Sequence, residues 1–294
     1  MNKPHLPVLL QEVLEAFSPL KIHRFIDGTL GAGGHAAAIL KAHPEISHYM
    51  GLDKDETALE LAKETLKSFG EKIYFYHHGF ERMEKLAEKE TIDGILLDVG
   101  VSSMQLDKPE RGFSFSKEGP LDMRMDQQAD LTSAEIVNTY SEKELGEIFY
   151  TYGEERRSRA CAKAIVKARM KKPLKTTIDL VEVLNPLFPY GGRLKIHPVT
   201  RIFQALRIAV NDELKALEGG ICAAFKLLKP KGRLIVISFH SLEDRIVKHL
   251  FKRLEGGLVL TKKPIIATSG EARSNPRSRS AKLRVIEKLC IPAY

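Results

Sequence analysis

Phe25-Ile26-Asp27-Gly28-Thr29-Leu30-Gly31-Ala32-Gly33-Gly34-His35 is the stretch on which the reading of this chain turns. Apolar residues lead into an acid, then into a loop with four glycines in seven positions, then into Ala36-Ala37-Ala38-Ile39-Leu40, a helix-forming run. The pattern predicts strand, tight loop, helix. Glycine is needed where the backbone turns sharply and where a ligand approaches a position that a Cβ would fill. The helix that follows leaves its first N–H groups unpaired and aimed at that ligand.

Outward from the loop, the same rhythm repeats. Residues 6–17 carry apolar side chains at helical spacing and predict a leading helix. Strands are expected at 22–27, 47–52, 73–76 and 92–97, with helices to about 42, at 56–69 and at 80–89. The run at 92–97 is apolar throughout, as in strands buried on both faces of a parallel sheet. Strand and helix alternating on this period give a doubly wound α/β domain. From about residue 107 to 210 the alternation breaks, and helices are expected at 135–138, 142–150, 156–170 and 178–187. A helix at 213–228, a turn at 229–232, a fifth strand at 233–239 and a helix at 241–254 follow. Two antiparallel edge strands, 258–260 and 283–288, close the sheet, with a mobile Ser/Arg/Pro-rich loop at 268–280. The expected organisation is a Rossmann-like domain of residues 1–106 and 211–294, with 107–210 inserted as an all-helical, substrate-recognition domain.

The 294 residues carry a net charge of +8 and three cysteines, Cys161, Cys222 and Cys290, with no CxxC pair. This argues against a disulfide scaffold or structural zinc. Met1-Asn2-Lys3-Pro4-His5 lacks a signal pattern and no apolar run reaches membrane-spanning length, so a cytoplasmic protein without membrane contact is expected. The charge is concentrated. Residues 156–175 hold nine Lys/Arg and no acid, and residues 262–284 hold seven against Glu271 alone, leaving −7 on the rest. An acidic protein with two basic stretches suggests a polyanion partner; a merely solvated helix face is the plainer alternative.

Ligands of open α/β sheets bind at the C-terminal strand ends, which here carry Asp27, Asp53, Asp98 and Ser238-Phe239-His240. Gly31-Ala32-Gly33-Gly34-His35-Ala36 fits a dinucleotide fingerprint, with Asp53 at the distance of a ribose-binding acid, so a nicotinamide enzyme competes. Against it, Asp27 and Asp98 would meet a pyrophosphate with negative charge. S-adenosylmethionine has no phosphate and carries a cationic sulfonium and amine, which nearby carboxylates favour. Asp53 would accept from the ribose hydroxyls, and Gly33 and Gly34 would let the amino-acid part lie against backbone. No P-loop occurs.

More specific motifs follow. Residues Asp27 to His35, Gly94-Ile95-Leu96-Leu97-Asp98-Val99-Gly100-Val101-Ser102-Ser103-Met104-Gln105-Leu106-Asp107, Arg111-Gly112-Phe113-Ser114-Phe115 and Gly119-Pro120-Leu121-Asp122-Met123-Arg124-Met125-Asp126 closely resemble the bacterial RsmH (MraW) family. So do Thr151-Tyr152-Gly153-Glu154-Glu155-Arg156, the segment from His197 to Ile208, Ser238-Phe239-His240-Ser241-Leu242-Glu243-Asp244-Arg245 and Asn275-Pro276-Arg277-Ser278-Arg279-Ser280. The resemblance spans nearly the whole chain in order. It implies a class I methyltransferase fold and transfer of a methyl group from S-adenosylmethionine to N4 of a cytidine in the decoding centre of 16S ribosomal RNA. It also implies cofactor contacts at Gly33, Gly34, His35, Asp53, Phe80, Asp98 and Gln105, and a small-subunit particle as substrate. Oligomeric state stays open, as does a non-catalytic assembly factor that merely keeps the fold.

The N4 lone pair is delocalised into the ring, so an acceptor for the N4 hydrogens would help the reaction. Many amino methyltransferases carry a Pro-Pro-aromatic motif after strand four. Here that stretch is Asp98-Val99-Gly100-Val101-Ser102-Ser103, and Asp98, or a carbonyl just after it, is the candidate acceptor. The base would stack on Phe113 or Phe115, unless both pin the insertion to its core. His240 is a candidate acid–base or a structural histidine, and His35 reads as a loop-orienting residue. His77-His78 point to opposite faces of a strand, so no metal is expected. Arg156, Arg157, Arg277, Arg279 and Arg284 are the candidate RNA contacts.

Overall fold

The computed structural model describes residues 6–188 and 197–290; Met1-Asn2-Lys3-Pro4-His5, read above for targeting, lies outside them. The chain divides into two compact units, residues 1–100 with 214–294, and residues 101–213. The helical unit thus starts six residues before, and ends three residues after, the expected 107–210.

The first unit is built on eight strands: β1 Arg24–Asp27, β2 His48–Asp53, β3 Ile73–His77, β4 Ile92–Asp98, β5 Leu228–Ser238, β6 Gly257–Val259, β7 Ile265–Ile266 and β8 Lys282–Lys288. The sheet order is β3-β2-β1-β4-β5-β8-β6, with β7 also on β8. β1 to β5 run parallel, and β8 is antiparallel to β5, β6 and β7. Order reverses at β1, flanked by β2 and β4, and this switch point is where the glycine loop leaves the sheet.

Period-two alternation sends successive strand residues to two cores. Phe25, Tyr49, Leu96, Ile235 and Ile237 pack with helices α1 Leu10–Phe17, α2 Gly34–Ala42 and α3 Glu56–Leu66. Ile26, Met50, Ile95, Leu97, Leu234 and Val236 form the opposite core. The expected helix at 80–89 is a short 3-10 turn, Phe80–Lys85, anchored by buried Met83. Residues 229–232 lie inside β5 as a bulge: Ile92 pairs with Leu228, but Gly94 already pairs with Arg233.

Gly28 packs where no side chain fits. A Cβ there would lie 2.4 Å from Leu97 Cδ2 and 2.8 Å from Phe80 Cβ. Gly28→Ala is therefore expected to destabilise the protein by about 1–3 kcal/mol. A thermal melt would show this as a loss of roughly 2–4 °C for each kcal/mol; an unchanged melting temperature would contradict it.

The helical unit contains α4 Ser103–Asp107, α5 Ser133–Thr139, α6 Glu142–Thr151, α7 Ser158–Arg169, α8 Thr177–Leu184 and α9 Val199–Asn211. Three begin with reciprocal capping boxes, Ser102 with Gln105, Ser141 with Glu144 and Thr176 with Asp179. Its core joins Phe113, Ile136, Leu145, Phe149, Ile165, Leu180, Ile202 and Leu206. α9 had no counterpart among the expected helices, although Ile202, Phe203, Ala205 and Leu206 follow a helical period.

The chain returns through α10 Glu213–Leu227 and α11 Ser241–Arg253, whose Leu217, Ile221, Val247 and Phe251 complete the second core. The loop expected to be mobile, 268–280, is structured: α12 Ser269–Ser274 is followed by a 3-10 turn at Pro276–Ser280. Thr268 caps the helix, Glu271 Oε1 accepts from Leu9 N (2.8 Å), and Asn275 Nδ2 donates to Leu6 O (3.0 Å). The segment ties down Leu6 and Leu9 ahead of α1, which its polar composition did not reveal.

Candidate active site

The site in the first unit is assembled from the C-terminal ends of β1, β2 and β4. Each of these strands ends in an aspartate, because the run of apolar residues stops where the sheet edge meets polar surroundings. Asp27 is 1% exposed; its Oδ2 accepts from the Tyr49 hydroxyl (3.0 Å) and its Oδ1 from Thr29 N (3.2 Å). Asp53 accepts from Gly31 N (2.8 Å) and Asp55 N (2.9 Å), fixing the glycine loop to the end of β2. Asp98 N donates to Thr29 Oγ1 (2.6 Å), so Thr29 joins the β1 loop to the end of β4. Asp98 Oδ1 is buried without a hydrogen-bond partner. Such an atom is expensive to leave unmatched.

Burial is the main cause that raises all three carboxyls: Asp53 to about 6, Asp27 to about 7 and Asp98 to about 8. Like charges add to it, from Asp55 on Asp53, from Asp53 on Asp27, and from Asp27 and Glu243 on Asp98. Backbone N–H groups and the Tyr49 hydroxyl offset part of the rise for Asp27 and Asp53. Three acids that resist ionisation together form a site that a cation would relieve.

The glycines divide their work differently from the sequence expectation. Gly33 has φ +84° and caps α2, and a Cβ there would press on Leu66 at 3.1 Å. A Cβ on Gly34 would meet Pro7 Cγ at 2.8 Å. Protein therefore occupies both positions, and only their backbone is left to a ligand. Gly31, with φ +54°, faces open space, with no atom within 4 Å of where a Cβ would lie. It is the loop position with room beside it.

His35, 7% exposed in the first turn of α2, places Nε2 3.0 Å from Val8 O. A carbonyl only accepts, so Nε2 carries a proton, an assignment made from the network. Nδ1 then faces Asp98 Oδ2 at 3.7 Å, beyond hydrogen-bond length. Phe80 packs between Gly28 and Gly220: a Cβ on Gly220 would lie 2.3 Å from its ring.

His240 is the N-cap of α11. Its Nδ1 accepts from Glu243 N (3.4 Å), while Glu243 Oε2 accepts from Phe239 N (2.7 Å) and His240 N (3.2 Å). Its Nε2 lies 3.0 Å from Glu243 Oε1 but off the hydrogen-bonding direction. Capping gives His240 its observed bonding, the structural role that stood beside the acid–base one. His77 is likewise engaged, with Nε2 2.9 Å from Lys54 O.

Two nucleic-acid candidates are corrected. Arg284 is 5% exposed on β8, with Nε 2.7 Å from Asp244 Oδ1, so it holds the sheet to α11 and cannot reach a phosphate. Lys282 and Arg284 together keep the Asp244 carboxyl low against its own burial. Phe113 is 7% exposed within the core of the helical unit, and cannot stack on a base. Phe115 is half-buried beside Phe203, ring centroids 4.9 Å apart. Arg279 is exposed and donates from Nε to Ala272 O (3.0 Å), and Arg277 is half-buried. In the helical unit Arg156 is exposed, Arg157 donates to Leu187 O, and Gln105, 4% exposed, accepts from Ser102 N (3.0 Å).

Sequence reasoning missed Tyr49, Thr29 and Pro7. Thr29 stood inside the quoted loop, and a hydroxyl between two acidic strand ends was its only signal. Tyr49 looked like one more buried strand residue.

A profile of the MraW methylase family matches residues 2–289. The chain belongs to the MraW methylase family. It is 50% identical to the ribosomal RNA small subunit methyltransferase H of Protochlamydia amoebophila, over 97% of this chain and 98% of that one. Against the protein of that name from a Picosynechococcus species, identity is 49% over 96% of both chains. The one from Carboxydothermus hydrogenoformans is 45% identical, over 98% of this chain and 99% of its own. The parallel sheet, its reversal at β1 and the antiparallel closing strand are those of a class I methyltransferase fold, in agreement with the expected fold class. Among the described residues no helix is long and apolar enough to cross a membrane.

Proposed function

We propose that the protein transfers a methyl group from S-adenosylmethionine to N4 of a cytidine in the decoding centre of 16S ribosomal RNA, within the small ribosomal subunit. The observation that carries the cofactor assignment is the set of three strand-end carboxyls beside the glycine loop, Asp27 buried and Asp53 and Asp98 half-buried, with one carboxylate oxygen unmatched. These residues fit a cationic ligand and would repel a pyrophosphate, which disfavours the nicotinamide alternative. S-adenosylmethionine supplies an electrophilic methyl group on a sulfonium.

The chain's own residues supply position and proton acceptance. Asp53 would hold ribose hydroxyls with lone pairs that the backbone N–H groups of Gly31 and Asp55 leave free. Backbone of the glycine loop and of Gly33-Gly34 would line the ligand, with Phe80 and Gln105 as the further contacts carried by family resemblance. The Asp98 carboxylate, about a quarter of whose side chain is exposed, or a carbonyl just after it, is the acceptor for an N4 hydrogen: drawing that hydrogen away localises the lone pair, and the carboxylate can then take the proton that methylation releases. His35, held by Val8 O, orients the Asp98 side of the loop. Phe115 remains the candidate stacking surface, and Arg156, Arg277 and Arg279 remain candidate phosphate contacts. The helical unit would serve as the substrate-recognition domain.

Mass mapping of small-subunit ribosomal RNA from cells with and without this protein tests the function. Loss of one methyl group from one cytidine is expected; identical maps would overturn the reading. Melting with ligand separates the cofactors: at 100 times the dissociation constant, S-adenosylmethionine should add about 2.7 kcal/mol, and NAD nothing.

A further inference from the structure

Helix α7 carries its polar residues in one sign. Its inner side buries Ser158, Cys161, Ala162 and Ile165. On the opposite side, three or four residues apart, stand Arg159, Lys163 and Lys167, continued before the helix by Arg156 and after it by Lys171, all exposed. Among the described residues none of these five side chains has a hydrogen-bond or ion-pair partner. Two features mark this as more than a solvated face. Like charges at i,i+4 destabilise a helix by about 0.2–0.5 kcal/mol per pair, and no acid on this face offsets them. Arg156 and Arg159 also sit at the N-terminal end, where the helix dipole disfavours cations. By contrast, nearby Lys172 is matched by Asp179 at 3.5 Å. Lys167 and Lys171 border the groove between α7 and α8, about 510 Å³, which Asp179 and Glu182 also line, while Arg156, Arg159 and Lys163 lie outside it.

We infer that the outer ridge of α7, from Arg156 to Lys171, is a docking rail for the sugar–phosphate backbone of the ribosomal RNA substrate. This rests on the proposed function and specifies where that substrate is gripped. Arg159 to Lys167 spans about 12 Å at 1.5 Å per residue. That length matches three to four nucleotides at about 3.4 Å per strand step. Ammonium and guanidinium groups four residues, about 6 Å, apart would meet phosphates about two steps apart along one strand, with no base reading.

The test compares K163Q/K167Q/K171Q with a control of equal charge on the other unit, K41Q/K67Q/K85Q, whose lysines lie on the first unit's surface. Binding to small-subunit particles is titrated between about 50 and 300 mM salt, the range over which phosphate contacts are read, with wild-type methylation of the same particles measured in parallel. Loss of three phosphate contacts should lower the slope of log K against log salt by about 2, and weaken binding near 0.1 M salt about 100-fold. The control should keep most of the wild-type slope, as should K163R/K167R/K171R. S-adenosylmethionine affinity should be unchanged in all three, and the α7 glutamine variant should melt no lower than wild type, since it loses the like-charge pairs of the ridge. An unchanged slope in the α7 variant, or an equal loss in the control, overturns the rail while wild-type methylation leaves the function standing. Wild-type protein that neither binds nor methylates the particles overturns both.

Discussion

Asp98→Asn is expected to lower turnover by at least 100-fold, to weaken S-adenosylmethionine binding by about 10–100-fold, and to raise the melting temperature of the ligand-free protein. The first figure is the lower end of what a positioned acid–base group contributes. The second follows from losing a charge-assisted contact of about 1.5–3 kcal/mol. The third has the opposite sign because the native carboxyl resists ionisation. Its folded value of about 8 lies above the ordinary aspartate value of 3.8. The unfolded chain therefore loses this proton first, and stability declines as pH rises from near 4 to near 8. Asparagine has no such decline, so variant and wild type should converge below pH 4 and separate most above pH 8. Calorimetric melts at several pH values, with turnover at saturating cofactor, measure all three. Turnover within threefold of wild type would remove Asp98 from proton transfer.

Affinity for S-adenosylmethionine should itself rise with pH, by at least tenfold between pH 5.5 and 7.5. Asp53, Asp27 and Asp98 are raised to about 6, 7 and 8, so over this window the ligand-free site holds protons that a cationic ligand displaces. Each displaced proton contributes up to one decade of affinity per pH unit. Near pH 8 the gain should flatten, because the amino group of the ligand begins to lose its own charge. Titration calorimetry in two buffers of different ionisation heat counts the protons directly. Release of about one proton at pH 6.5 is expected, and fewer from Asp98→Asn. An affinity independent of pH would show that the carboxyls are already ionised before binding.

Local chemistry made much of this protein legible. Alternation of apolar strands with amphipathic helices defined the first five strands and both cores, since burial on two faces leaves an unmistakable run such as Ile95-Leu96-Leu97. The three aspartates at strand ends were legible for the same reason: an acid that interrupts an apolar run marks where the sheet edge begins. What escaped depends on distant partners. Gly34 reads as a ligand-contact glycine until Pro7 fills the space beside it. Arg284 reads as a free cation until Asp244 appears at 2.7 Å. Residues 268–280 look disordered in composition, yet Glu271 and Asn275 find the backbone of Leu9 and Leu6 more than 260 residues away. His240 has the side chain of a catalyst and the bonding of a helix cap.

The place where the helical unit interrupts the sheet also bears on how the chain reaches its fold. β4 cannot pair with β5 until residues 228–238 exist, because Asp98 lies beside Ile237, about 140 positions later. Residues 101–213 need no such wait: their core draws only on their own sequence. On an emerging chain the helical unit can condense first and shorten the effective loop between the two central strands. β4 is already in register on β1, with Ile26 beside Ile95 and Asp27 beside Leu96, so the three acids can stand together before β5 closes the far side of β4.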